Sequence, residues 1–217
     1  MKLEWNLNDL FASDENFYQE IKSVKTALDK LKENGHDVFL ATGRCKCFIV
    51  DEVMNYPFSG YVTCNGGYVE YLNQPIYKAI VPSEAIIATM KLCDKYGFNY
   101  YFEGNDNIYV RDSNDKKHLE FCKKWGMKLE TIIDQFNPDE IETYIGMIVV
   151  NDAVDIPVMV DALDPYFDIQ RHQNDCSFDL TLRGVSKAVG ICELVKRLNK
   201  DISNTIAFGD GRNDIEM

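Results

Sequence analysis

Residues 205–214, Thr205-Ile206-Ala207-Phe208-Gly209-Asp210-Gly211-Arg212-Asn213-Asp214, set the fold class. A short apolar run passes straight into paired glycines, and two carboxylates and an amide follow in the same loop. Such a run reads as a strand buried on both faces of a parallel sheet, with a loop at its carboxyl end, where open α/β sheets place ligands. The glycines let the backbone turn sharply, and carboxylates at this density suit Mg2+, which takes hard oxygen ligands. The competing reading is an ordinary Gly/Asn/Asp turn with Asp214 near a helix N-terminus. The order of acids and glycine does not match an EF-hand loop.

The same texture lies upstream. Ile21, Val24, Leu28 and Leu31 recur at helical spacing between Gln19 and Asn34, and Gly35 stands where a helix-ending glycine belongs. Asp37 to Ala41 then reads as a buried strand running into Thr42-Gly43-Arg44. A hydroxyl followed by glycine offers one side-chain donor and open backbone N–H groups, a small nest for phosphate oxygens. Alone, a Thr-Gly turn after a strand is more often just a turn. Tyr61 to Cys64 is a second strand, closed by Asn65-Gly66-Gly67, with Tyr68 to Tyr71 pairing back. Near the other end, Gly184-Val185-Ser186-Lys187 precedes a helix marked by Val189, Cys192, Val195 and Leu198. Lys187 beside a phosphate and a carboxylate would neutralise charge; elsewhere it would be a solvated surface lysine.

Between Pro82 and Asp179 the pattern changes. Helices are expected from Ser83 (as N-cap), over Lys116 to Trp125 and over Ile156 to Leu163. Strands are expected over Asn99–Glu103, Ile108–Arg111, Tyr144–Val150, Phe167–Gln170 and Ser177–Leu182. Hairpin-like strands mixed with helices read as a separate α+β unit inserted into the first domain.

Composition narrows the partners. The 217 residues carry a formal net charge of -12, which argues against nucleic acid or an anionic membrane as the main partner. No apolar run approaches the ~18 residues of a membrane span, and the N-terminus lacks a signal-peptide pattern. The seven cysteines include no C-x-x-C pair, and Cys45-x-Cys47 is too tight for a usual zinc knuckle. Free thiols in the cytoplasm are the expectation. His36, His118 and His172 show no metal spacing and read as surface or loop residues.

Together, Ala41-Thr42-Gly43-Arg44, Gly184-Val185-Ser186-Lys187 and Gly209 to Asp214 resemble the haloacid dehalogenase superfamily. Their order is similar to its Cof-type phosphatase branch. The resemblance implies a Rossmann-like α/β parallel-sheet core, residues 1–80 and 180–217, with an inserted α+β (C2-type) cap over residues 81–179. It implies Mg2+ as cofactor and a small phosphorylated metabolite as partner, such as a sugar or nucleotide phosphate. Thr42, Gly43, Lys187 and Asn213 would bind phosphate, Lys187 and Asp210 would be catalytic, and Asp210 and Asp214 would hold the metal. Tyr100, Tyr101, Glu103, Tyr109 and Arg111 are cap side chains that could face a substrate, although aromatic strands more often form core.

Two departures stand beside the resemblance. The family opens with D-x-D-G-T, whose first aspartate attacks phosphorus and whose second is the acid/base. Here Asn6 and Asn8 fall at those positions by distance to Thr42, or Trp5 and Leu7 by the residues that follow. An amide is a far poorer nucleophile than a carboxylate, so the resemblance also admits a phosphometabolite-binding relative without turnover. The chain also stops at Met217, shortly after Asp214, where the family continues with a helix and a strand. A truncated product, with an unpaired edge and marginal stability or self-association, is the third expectation.

Overall fold

The computed structural model describes residues 14–150, 161–172, 176–209, 211 and 214–217. The chain divides between Phe39 and Leu40 into two units. The first carries helix α1 (Asp14–Glu33). Its end is closed as predicted: Gly35 adopts φ +83°, Gly35 N–H bonds the Lys32 carbonyl at 2.9 Å, and His36 N–H the Leu31 carbonyl at 3.0 Å.

A four-stranded sheet runs in the order β1 (Phe39–Ala41), β2 (Gly60–Thr63), β3 (Tyr68–Tyr71), β4 (Gln74–Lys78). A short helix, α2 (Asp51–Met54), lies between the first two strands. The β2–β3 and β3–β4 ladders are antiparallel. Strand β4 is not among the expected strands; it carries Pro75, and a proline without an N–H is tolerated on an edge strand such as β4. The β3–β4 hairpin turns at Leu72 and Asn73, both at positive φ, as two-residue hairpin turns of the mirror-image types require.

The second sheet has the order β7 (Ile132–Ile133), β6 (Ile108–Val110), β5 (Asn99–Glu103), β8 (Ile145–Val149), β10 (Ser177–Leu182), β9 (Phe167–Arg171). Its register separates two faces. Tyr100 opposes Ile148, and Ile148 opposes Phe178; with Phe102, Leu180 and Phe167 they form one buried cluster. Helix α3 (Ser83–Tyr96) covers that cluster with Ala85, Ile86, Leu92 and Cys93, which recur at helical spacing. Ser83 is the first helical residue and not the cap: the Pro82 carbonyl accepts from Ala85 and Ile86. On the other face Tyr101 opposes Met147, and Met147 opposes Asp179. Its β5–β6–β8 half packs in a cluster that includes Cys122 of α4 (Lys116–Trp125) and Met127. Its β9–β10 half carries Asp168, Gln170, Asp179 and Thr181, since Gln170 opposes Asp179 and Asp168 opposes Thr181.

Helix α5 (Lys187–Arg197) lies against the first sheet and the turn after β2. Two sequence expectations are corrected here. Thr205 to Phe208 is not a strand: no described strand pairs with it, and Ile206 and Phe208 are 85% and 88% exposed. An apolar run becomes a strand only where a neighbour satisfies its backbone. His118 is not a surface residue. It is buried on α4, with Nδ1 3.0 Å from the Tyr101 hydroxyl, and burial holds its pKa low. Of the helix expected over Ile156–Leu163, residues 156–160 lie outside the described residues and 161–163 are helical. Among the described residues no helix is long and apolar enough to cross a membrane.

Candidate active site

The site is built where β10 gives way to α5. Gly184 takes φ +74° and its N–H donates to Asp168 Oδ2 at 3.2 Å. Ser186 is extended and caps the helix, its Oγ accepting from Val189 N–H at 3.3 Å. Lys187 is therefore the first helical residue and points its ammonium into a nearly closed space. Its side chain is 7% exposed, and Nζ donates to Asp214 Oδ1. Asp214 Oδ2 accepts from Gly211 N–H at 2.9 Å. Gly209 completes the fit, because a Cβ there would meet Asp214 Cγ at 2.7 Å. Removing either partner of so buried a pair strands a charge, at a cost of ~3–5 kcal/mol.

The turn after β2 forms the adjoining wall. Asn65 is buried in a left-handed conformation, φ 51°, and its Nδ2 donates to Thr181 Oγ1 at 3.2 Å. Gly66 follows at φ +91°; a Cβ there would lie 2.6 Å from the Ser186 carbonyl carbon. Gly190 reciprocates from α5, where a Cβ would lie 2.8 Å from Gly66 Cα. Two glycines thus let the helix start rest directly on the turn. A cavity of about 430 Å³ opens here, lined by Asn65, Asp168, Gln170, Thr181, Ser186 and Lys187 among others. That is ample for a small metabolite. A second hollow of about 360 Å³, beside Cys192, Lys196 and Asn199, holds none of the expected site residues.

Of the residues singled out in the sequence, the structure brings together Lys187 and Asp214. Thr42 and Gly43 stand after β1, where Thr42 N–H bonds the Val62 carbonyl at 2.8 Å and Thr42 Oγ1 accepts from Arg44 N–H at 3.2 Å. They do not line the cavity. Asn6, Asn8, Asp210 and Asn213 lie outside the described residues. Sequence reasoning did not single out Asn65, Gln170 and Thr181, which line the cavity; the signal was the alternation of polar side chains along β9 and β10 and the Asn-Gly pair after β2. Tyr100 and Tyr101 are buried in the two core clusters instead of facing a ligand.

Glu103 is buried at the end of β5, and its Oε2 accepts from Cys45 N–H at 3.4 Å. Burial, reinforced by the charge of Asp179, pushes its pKa up to about 7, against hydrogen bonding from Cys45 and the Arg44 charge. Asp179 pairs with His172 Nε2 at 2.9 Å. Among the described residues no three His, Cys, Asp or Glu side chains are grouped to hold a metal ion. Asp214 is the described member of the expected metal pair. Its carboxylate is the hard donor type that Mg2+ takes, and it stands at the site beside Lys187.

A model of haloacid dehalogenase-like hydrolases matches residues 12–217. The match begins after Asn6 and Asn8. The chain is 29% identical over 196 residues to a candidate phosphatase, YkrA, of Bacillus subtilis (strain 168), covering 90% of this chain and 74% of that one. It is 23% identical over 219 residues to 5-amino-6-(5-phospho-D-ribitylamino)uracil phosphatase YbjI of Escherichia coli (strain K12), covering 98% and 79%. Among solved structures it superposes on a hypothetical protein of Geobacillus kaustophilus HTA426 with TM-score 0.78 at 24% identity, over 89% of this chain and 74% of that one. It superposes on the sugar phosphatase BT4131 with TM-score 0.72 at 25% identity, over 89% and 75%. The α/β fold, with its core of this class, is thus shared with those proteins.

Proposed function

Because the chain belongs to the haloacid dehalogenase-like hydrolases, we propose that it takes phosphate monoesters of small metabolites, sugar or nucleotide phosphates, into the Lys187 cavity and hydrolyses them with Mg2+. The observation that carries this reading is the buried Lys187–Asp214 pair at the start of α5, open to a metabolite-sized cavity. A helix N-terminus and a lysine together favour a phosphate group there. Asp210 and Asp214 would supply carboxylate oxygens to Mg2+, which would offset phosphate charge. Thr42, Gly43 and Asn213 are proposed as further phosphate contacts.

The second sheet, within residues 81–179, is proposed as the cap over the residue 1–80 and 180–217 core. The polar stripe Asp168, Gln170 and Thr181 would then meet the leaving group, where hydroxyls find both donors and acceptors. A second reading, binding without turnover, is favoured by Asn6 and Asn8 at the positions where the resemblance expects aspartates. The test is hydrolysis of an aryl phosphate by the purified chain, with and without Mg2+, beside Asp210→Ala. Turnover that needs Mg2+ and vanishes in the variant supports the hydrolase. Saturable phosphate binding without turnover, lost in Lys187→Met, selects the binding reading. Neither turnover nor binding by folded protein overturns both.

A further inference from the structure

Cys45 and Cys47 were set aside as a zinc motif, yet the structure gives them a chemistry of their own. Cys45 is extended and caps the 3-10 turn Lys46–Phe48, which folds the two side chains to the same side. Their sulfurs stand 3.5 Å apart. The surroundings hold the turn in place. Lys46, between the cysteines, bonds both oxygens of buried Glu70 at 2.7 and 2.9 Å. Cys47 N–H donates to the Asn105 carbonyl at 3.1 Å, and Cys45 N–H donates to Glu103.

From this geometry we propose that Cys45 and Cys47 are a peroxide-oxidisable dithiol that closes to a disulfide within the loop following Thr42 and Gly43. The two thiols are not equivalent. Cys45 is fully buried, whereas Cys47 is partly open to solvent, so an oxidant meets Cys47 first. The sulfur–sulfur hydrogen bond and burial raise the Cys45 pKa, while the same bond lowers that of Cys47, the direction that favours a thiolate at the accessible sulfur. By contrast, burial raises the pKa of Cys64, Cys93 and Cys122.

The steps balance. The Cys47 thiolate attacks one oxygen of hydrogen peroxide, the O–O bond breaks, and the sulfenic acid and hydroxide form. The hydroxide becomes water by taking the proton released on thiol ionisation. Cys45 sulfur then attacks Cys47 sulfur, the S–O bond breaks, and a second water leaves with the Cys45 proton. Two electrons pass from the dithiol to the peroxide. Closure shortens the sulfur separation by about 1.5 Å, a side-chain movement toward the usual bond length. A small thiol reverses it by exchange.

The test treats the full native chain with a small excess of hydrogen peroxide and follows intact mass and free thiols. A loss of about 2 Da and of two thiols is expected, both reversed by dithiothreitol. Trypsin cuts after Lys46, so the fragments carrying Cys45 and Cys47 should stay linked until reduced. Cys45→Ser should stop at a Cys47 sulfenic acid that dimedone traps, and Cys47→Ser should show no loss at this site. A disulfide mapped to any other pair overturns the proposal. So does wild-type protein that keeps both thiols, or that carries Cys47 to the sulfonic acid without closing.

Discussion

Replacing Glu103 with glutamine should flatten one part of the pH dependence of stability. Glu103 is 7% exposed, and its pKa stands at about 7 against an ordinary value of 4.5. The folded protein therefore holds this proton more tightly than the unfolded chain does. Folding takes up a proton between about pH 4.5 and 7, and stability falls as pH rises through that window. The full difference corresponds to about 3 kcal/mol, of which on the order of 2 kcal/mol lies between pH 5 and 8. Glutamine keeps an oxygen to accept the Cys45 N–H and cannot ionise. Urea unfolding of both proteins at pH 5, 6.5 and 8 should show wild type losing stability relative to Glu103→Gln by about that amount. Half-buried Asp115 and Asp134 and exposed Glu142, whose pKa values are lowered, act in the opposite sense at lower pH but are common to both proteins, so they cancel in the difference. Parallel curves for the two proteins would refute the argument and place Glu103 in contact with water.

Gly66→Ala should lower Tm by at least about 5 °C, because left-handed strain and the collision with Ser186 together exceed ~2 kcal/mol. Gly97→Ala, at φ +70° with open space around it, is the control and should cost about half as much or less. In the other direction, Leu72→Asn should raise Tm by about 2 °C. Leu72 is 63% exposed at φ 48°, so it contributes little packing and carries the left-handed penalty that asparagine tolerates. Differential scanning calorimetry checks all three.

Legibility followed the range of the physics. The start of α5 could be read from Gly184, Ser186 and the apolar spacing after Lys187, because caps and helix periods are local. The helical Lys116–Trp125 segment and the β10 strand were equally visible. What failed was whatever depends on a neighbour far along the chain. Thr205 to Phe208 has strand composition, but composition does not tell whether another strand lies beside it. His118 looked like a surface residue until Tyr101, brought over it by the second sheet, supplied a hydroxyl. Tyr101 and Asp179 share one face of the sheet, yet one is core and the other a half-buried carboxylate paired with His172. Only the coverage of that face decides between them, and coverage is a tertiary fact. The site divides in the same way: Lys187 and Asp214 were legible as motifs, whereas Asn65 and Thr181 met through a contact across more than half the chain.

Charge counting links the two functional readings. Lys187 is neutralised by Asp214, so the start of α5 adds only about half a positive charge to a phosphate placed against it. A phosphate dianion in that cavity would also face Asp168 and Glu216, both part of its lining. Bringing such an anion out of water demands compensation beyond Lys187, the one Lys or Arg among the described lining residues. A divalent cation held with carboxylate oxygens meets that demand whether or not the ester is afterwards cleaved. On the proposed function, binding and hydrolysis would share the same dependence on Mg2+, and the step that separates them would be nucleophilic attack on phosphorus. That step needs a carboxylate nucleophile, so turnover would place one within reach of phosphorus, and binding without turnover would fit amides at Asn6 and Asn8.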